Sequence, residues 1–458
     1  MEPQRRGRPV LVGCPDARPP AYQAVLGLDR AGMLDRFVTA SYYDPGRPLH
    51  RAARRVAPRA FGRVERILMR RHDPAIPAGR VISVPSVDLA IRLESRAEEP
   101  TVKRALAKAR TAWFDRRLAR VVARRLPAAV LAFSDVASGV TLPLCRRLGI
   151  PTVLSMVHGE VREELEVLAR EQAAWPELFP LYLGDGTLDR DELDWLHMRR
   201  LRDLALASRI LVPSQHIADE LARHGTPRGK LRVIPYAADT SRFVPVAKGE
   251  EDGDRDGSSC VFLFAGGVCQ RKGIGYLLRA WAQVRRPGWR LQLVGEPPAD
   301  PGPLRPLLEA EGVEVLGRVG HAEMPARMAA ADVFVFPSLF EGSAVVTYEA
   351  LACGLPSIVT AAAGSVVRDG VEGLVVPPSD VDALVARMAR LGEDRGLRAR
   401  MAAAARARAL EFDWPRYHDS VAAAMDEAEA GAAEDGHTPV HPRSPMRPHR
   451  IAASARTS

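Results

Sequence analysis

Short apolar runs separated by longer amphipathic stretches set the pattern of this chain. Val10-Leu11-Val12, Arg36 to Ala40, Ala128 to Phe133, Thr152 to Val157, Arg209 to Ser214 and Leu231 to Tyr236 each read as a strand. Helical spacing is clearest from Val102 to Leu126, and a charged helical stretch precedes Arg209. The second half restarts the alternation with strands at Val261 to Ala265, Arg290 to Gly295, Val313 to Gly317, Val333 to Phe336, Ser357 to Thr360 and Gly373 to Val376. Helices are predicted over 275–284 and 322–331, after Glu341, and from Val381 and Arg395. Apolar strands alternating with amphipathic helices predict an α/β chain whose parallel sheets are covered on both faces.

The alternation breaks once, at Lys248-Gly249-Glu250-Glu251-Asp252-Gly253-Asp254-Arg255-Asp256-Gly257. The chain therefore divides into a unit over 1–240, a polar linker over 241–259 and a unit over 260–412. A terminal helix over 413–430 follows, and a Pro-, Arg-, Ser- and Ala-rich tail over 431–458 is expected to be disordered. At 458 residues and 47% hydrophobic content, the chain can fill two cores. The linker also mimics a calcium loop at Asp252, Asp254, Asp256 and Gly257. Its twelfth position is Leu263, inside an apolar strand, and calcium is rejected.

Composition narrows the setting. Cys14, Cys145, Cys260, Cys269 and Cys353 are scattered and odd in number, which argues against disulfide or metal roles. No apolar run approaches a bilayer span, and Met1 to Arg6 lead into no signal-peptide core, so a cytoplasmic protein is expected. The net charge of +9 is carried almost wholly by arginine, concentrated in the first half. Arg51, Arg54, Arg55, Arg59, Arg63, Arg66, Arg70 and Arg71 alternate with Val56, Phe61, Val64, Ile67, Leu68 and Met69. Such a stretch suits the inner face of an anionic membrane, an acidic acceptor, or simply solvated helix faces. No nucleic-acid-reading motif accompanies the charge.

The most specific chemistry lies in Pro337-Ser338-Leu339-Phe340-Glu341-Gly342-Ser343-Ala344, which leads from the strand ending at Phe336 into a helix closed by Gly354 and Pro356. Glu341 falls in the loop, and Glu349 about two turns into the helix. Between them a helix N-terminus offers unpaired N–H groups to an anion. One carboxylate on each side of an anion seat suits a sugar, a diphosphate and a ribose in a row.

This segment resembles the Glu-x7-Glu signature of the retaining glycosyltransferases of family 4. The resemblance implies a GT-B fold, two Rossmann-like domains facing across a cleft, with a nucleotide-sugar donor held by the second. It implies that Glu341 contacts the donor sugar and Glu349 the ribose. The loop Gly266-Gly267-Val268-Cys269-Gln270-Arg271-Lys272-Gly273 resembles the family's diphosphate loop, with Lys272 in the lysine position. The family's arginine position is Gly267 here, and the adjacent Arg271 is the candidate replacement. Gly295 matches a glycine near the phosphates, and Gly317-Arg318-Val319 the segment that meets the base. Gly342, Ser343 and Ala344 line the sugar, Ser343 also being placed to cap the helix. His158, after the strand ending at Val157, matches a histidine near the reacting sugar, where a packing role fits equally.

The resemblance implies retaining hexose transfer to a hydroxyl of a glycan, lipid-linked or small-molecule acceptor, with no cofactor and no metal expected. The sequence leaves open a nucleotide-sugar epimerase and a catalytically silent subunit that supports another transferase.

Overall fold

The computed structural model describes residues 9–16, 19–97, 99–182, 190–246 and 259–434. The calcium-like loop and the rest of 247–258, and the tail beyond Glu434, lie outside the described residues. The first sheet contains β1 (Val10–Gly13), β2 (Leu34–Thr39), β3 (Val81–Ser83), β4 (Ala129–Phe133), β5 (Thr152–Ser155), β6 (Arg209–Val212) and β7 (Leu231–Val233). The second contains β8 (Cys260–Ala265), β9 (Trp289–Val294), β10 (Val313–Gly317), β11 (Val333–Phe336), β12 (Ser357–Thr360) and β13 (Gly373–Val376).

Spatial orders are β3-β2-β1-β4-β5-β6-β7 and β10-β9-β8-β11-β12-β13, and the pairings are parallel throughout. This is the GT-B fold: two Rossmann-like domains across a cleft. In the second sheet the order reverses between β8 and β11, registered Val333 to Phe262 and Phe334 to Leu263. Loops leaving the carboxyl ends of two such strands splay apart and form a crevice. Both strands are buried along their whole length, which explains their unbroken apolar runs. Phe264 stacks on Phe336 at 5.8 Å between ring centroids, and Trp281 is buried with its indole N–H donating to Glu311 O at 3.0 Å.

One strand escaped the pattern. β3 spans three residues at the sheet edge, too few for alternation to emerge. The terminal helix Trp414–Glu434 runs beyond the expected stop, so 431–434 are helical rather than disordered. The Ala-Glu-rich sequence there favours helix strongly enough to outweigh Gly431. This helix returns to the first domain. Tyr417 Oη donates to Pro20 O at 3.3 Å, and the two ring nitrogens of His418 lie 3.0 Å from Arg30 Nη1 and 2.7 Å from Gln23 Oε1.

A second tie between the domains centres on buried Glu171, in the helix Val161–Ala174. It accepts from Gln270 Nε2 at 2.6 Å, Tyr276 Oη at 2.7 Å and Ser379 Oγ at 3.1 Å. The five cysteines are buried, and no helix among the described residues is long and apolar enough to cross a membrane.

Candidate donor site

Two loops at the carboxyl ends of β8 and β11 build the centre of the site. After β8 the chain makes a short 3-10 turn, Gln270–Lys272, and reverses at Gly273, whose φ is +74°. A Cβ there would stand 2.0 Å from Pro337 O, so only glycine lets the two loops meet. Their meeting brings Glu341 against both cations. Its Oε1 accepts from Arg271 Nη1 at 2.8 Å, from Ser338 Oγ at 3.1 Å and from Lys272 Nζ in a direct ion pair. Arg271 is further fixed by donation to Phe340 O at 3.0 Å, and its backbone N–H donates to Tyr182 O across the domain boundary.

Electrostatics follow from this packing. Burial lowers the Lys272 pKa below the usual lysine range, with Glu341 opposing the shift and Arg271 adding to it. Burial also works against the charge of Arg271, but the Glu341 carboxylate outweighs it and the net shift is upward. Lys272 Nζ also lies 5.2 Å from the centre of the Phe336 ring.

Glu349 is the fifth residue of the helix Val345–Ala352, so it lies about one turn in rather than two. The helix starts late because the loop runs extended through Ala344, whose ψ is 105°. Ser343 does not cap it. Its hydroxyl donates to Gly364 O at 2.7 Å and lies 3.2 Å from Tyr348 Oη, turned into the domain. Glu349 Oε1 instead lies 3.1 Å from His321 Nε2. His321 Nδ1 is 2.9 Å from Arg242 Nη1, which can only donate; Nδ1 therefore accepts, and the Nε2 proton points at Glu349.

Lys272, Glu341 and Glu349 border a cavity of about 540 Å³, whereas Arg271 and Gly342 are not among its lining residues. Gly266, Gly267, Lys272, Gly295, Val319, Glu341, Ser343, Ala344 and Glu349 line it, as do Val345 and Val346 from the first helical turn. Gly295 is required by packing, since a Cβ would stand 1.8 Å from Gly266 O. Gly267 is exposed and open, its hypothetical Cβ meeting nothing closer than Cys269 Sγ at 3.9 Å. Gly342 presses on the first domain, where a Cβ would stand 2.5 Å from Val157 O and 2.9 Å from His158 N.

His158 therefore adjoins the loop after β11 through its backbone, although it is not among the cavity-lining residues. Its Nδ1 donates to Gly159 O at 2.8 Å, and Nε2 faces Asp135 Oδ1 at 3.5 Å. Burial alone would raise the Asp135 pKa, but His158 and Arg200 hold it well below the usual carboxylate range. Behind it, burial pushes Asp203 up to about 7, while its Oδ2 accepts from Asp135 N at 2.8 Å.

Comparisons with known proteins identify the family. Residues 67–242 match the family model for glycosyltransferase family 4, and residues 259–394 match that for glycosyl transferases group 1. The chain belongs to glycosyltransferase family 4. This family 4 glycosyltransferase is 27% identical over 383 residues to the MMP alpha-(1->4)-mannosyltransferase of Mycolicibacterium hassiacum, covering 78% of this chain and 88% of that one. It is 31% identical over 245 residues to the D-inositol 3-phosphate glycosyltransferase of Actinosynnema mirum, covering 49% and 58% respectively. Among solved structures, sucrose-phosphate synthase from Thermosynechococcus elongatus superposes with a TM-score of 0.62 at 21% identity, over 93% of this chain and 100% of that one. HepE from Anabaena in complex with UDP and glucose gives 0.60 at 16%, over 92% and 100%. At these identities the structures speak to the fold.

The glycosyltransferase also places residues at the cleft that the pattern did not single out. His321 reaches Glu349 from the loop after β10 and is itself held by Arg242, and neither sits in a motif. A cavity of about 280 Å³ shares Val345 and Glu349 with the first and is walled on the other side by Arg70, His72 and Asp73.

Proposed function

We propose that this glycosyltransferase moves a hexose from a nucleoside-diphosphate sugar to a hydroxyl with retention of the anomeric configuration. The observation that carries the reading is the convergence of Lys272 and Arg271 on Glu341, beside a helix N-terminus with Glu349 one turn behind. A diphosphate between the two loops takes over the cations and frees Glu341 for the sugar hydroxyls, while Glu349 accepts from the ribose. As the glycosidic bond breaks, charge grows on the leaving phosphate, where Lys272, Arg271 and the first-turn N–H groups stabilise it. A phosphate oxygen then takes the proton of the incoming hydroxyl.

In this reading residues 1–240 meet the acceptor, 241–259 link the domains, 260–412 hold the donor and the helix over 413–430 bridges back. The Arg-rich helices Pro48–Val56 and Pro58–Leu68 suit an anionic membrane surface on which a lipid-linked acceptor lies. Val56 is 85% and Ile67 59% exposed beside Arg55, Arg59 and Arg66.

Calorimetric titration with nucleoside diphosphates, repeated with Lys272→Ala, tests the donor site. The anomeric configuration of the product, read by NMR, tests retention. One observation favours a second reading, a silent subunit: Gly267 puts no cation where the family carries arginine. Donor binding without hydrolysis or transfer by the purified chain decides for it.

A further inference from the structure

We propose that the donor of this enzyme is a guanosine diphosphate sugar, selected by Glu296 with Arg318. The inference rests on the donor reading above and follows from the order of groups along the cavity. The second sheet runs β10-β9-β8-β11, and the loops leaving these strands line the cavity in turn. Glu341 follows β11 and Lys272 follows β8, so sugar and diphosphate occupy that side. Glu349 reaches the other way, to His321 in the loop after β10. A ribose held by Glu349 therefore hands its base to the loops after β9 and β10.

Those loops present one carboxylate and one guanidinium to the cavity. Glu296 stands two residues past β9 and Arg318 directly after β10, with Arg318 Nε 4.0 Å from Glu296 Oε2. That separation is too long for a hydrogen bond. Both side chains stay largely exposed, at 74% for Arg318 and 68% for Glu296, and neither makes a side-chain hydrogen bond within the described residues. Val319 and Met324 supply apolar lining beside them for a ring face.

The chemistry of base edges then selects among ligands. Guanine carries two adjacent donors, N1–H and the 2-amino group, which match the two oxygens of a carboxylate, and its O6 and N7 accept from a guanidinium. Uracil and thymine offer one N–H flanked by two carbonyl oxygens, which a carboxylate repels. Adenine and cytosine set a lone pair beside their single amino group. Only guanine satisfies this pair of side chains together.

The test is calorimetric titration of GDP, IDP, UDP, ADP and dTDP into the full chain, into Glu296→Gln and into Lys272→Ala. Melting curves establish that the variants are folded. GDP is expected to bind about tenfold tighter than UDP, ADP or dTDP. IDP, which lacks the 2-amino group, is expected to fall between. In Glu296→Gln the GDP preference is expected to shrink to about threefold or less. Lys272-dependent binding in which UDP, ADP or dTDP equals or exceeds GDP overturns the guanine assignment while leaving the donor site standing. A GDP preference undiminished in Glu296→Gln overturns the role of Glu296. Binding that no nucleotide loses in folded Lys272→Ala overturns the donor reading, and this inference with it.

Discussion

The Lys272 ammonium and the Glu341 carboxylate, 69 residues apart in the chain, form a direct ion pair between loops that leave the neighbouring strands β8 and β11. Both side chains are largely withdrawn from solvent, at 15% and 12% exposure. Removing one partner leaves the other charge in a poorly solvated place, so each is costly to lose. Lys272→Ala is expected to reduce kcat by about a hundredfold or more, the scale seen when one group that stabilises developing charge is removed. Steady-state rates together with a melting curve separate this loss from unfolding.

The two glutamates are expected to fail differently. Glu349→Ala should weaken nucleoside diphosphate binding about tenfold or more, the scale of a lost hydrogen bond to a charged acceptor. Glu341→Ala should chiefly lower turnover. A nucleotide lacking the ribose hydroxyls should bind the Glu349→Ala variant as well as the intact nucleotide does. Undiminished binding by Glu349→Ala would contradict the ribose assignment.

Gly267 offers a gain-of-function test. A side chain there meets only Cys269 Sγ, at 3.9 Å, and points from a cavity-lining position. Gly267→Arg should fold normally and bind nucleoside diphosphates about fivefold tighter, the order expected of one added charge-assisted hydrogen bond. Unchanged affinity in a folded variant would show that Arg271 already fills the role.

Stability should depend on pH through His418. Burial lowers its pKa below 6.5, and neighbouring Arg30 lowers it further. The unfolded chain therefore binds the proton more readily, and stability contributed by the neutral ring is lost as pH falls below about 6.5 toward the folded-state value. The melting temperature should drop between pH 7.5 and 5.5, and by less in His418→Gln. Equal drops in the two proteins would remove His418 from this account.

Membrane docking is tested on vesicles. Sedimentation with anionic vesicles should be lost in the double variant Val56→Ser, Ile67→Ser, and should be absent with neutral lipid. Binding that ignores lipid charge would oppose the arginine reading.

Much of this was legible in the residue pattern because parallel strands buried on both faces write themselves as unbroken apolar runs, as β8 and β11 do. Glu341 and Glu349 were legible because a strand, a loop and a helix place them whatever the distant chain does. β3 was not, being three residues of an edge. Ser343 misled because a hydroxyl beside a helix start has local and distant partners, and here Gly364 and Tyr348 are nearer. His321 and Arg242 are 79 residues apart, and nothing local signals that their side chains meet.

The return of the last helix onto the first has a consequence for how the protein is made. Synthesis runs from the amino end, so the helix Pro19–Arg30 leaves the ribosome long before Tyr417 and His418 exist to cover it. The second sheet can complete itself while the chain is still growing, whereas the older half waits with one flank bare. The first domain to be translated is the last to be finished, and a chain cut short before Trp414 would leave that flank open to other partners.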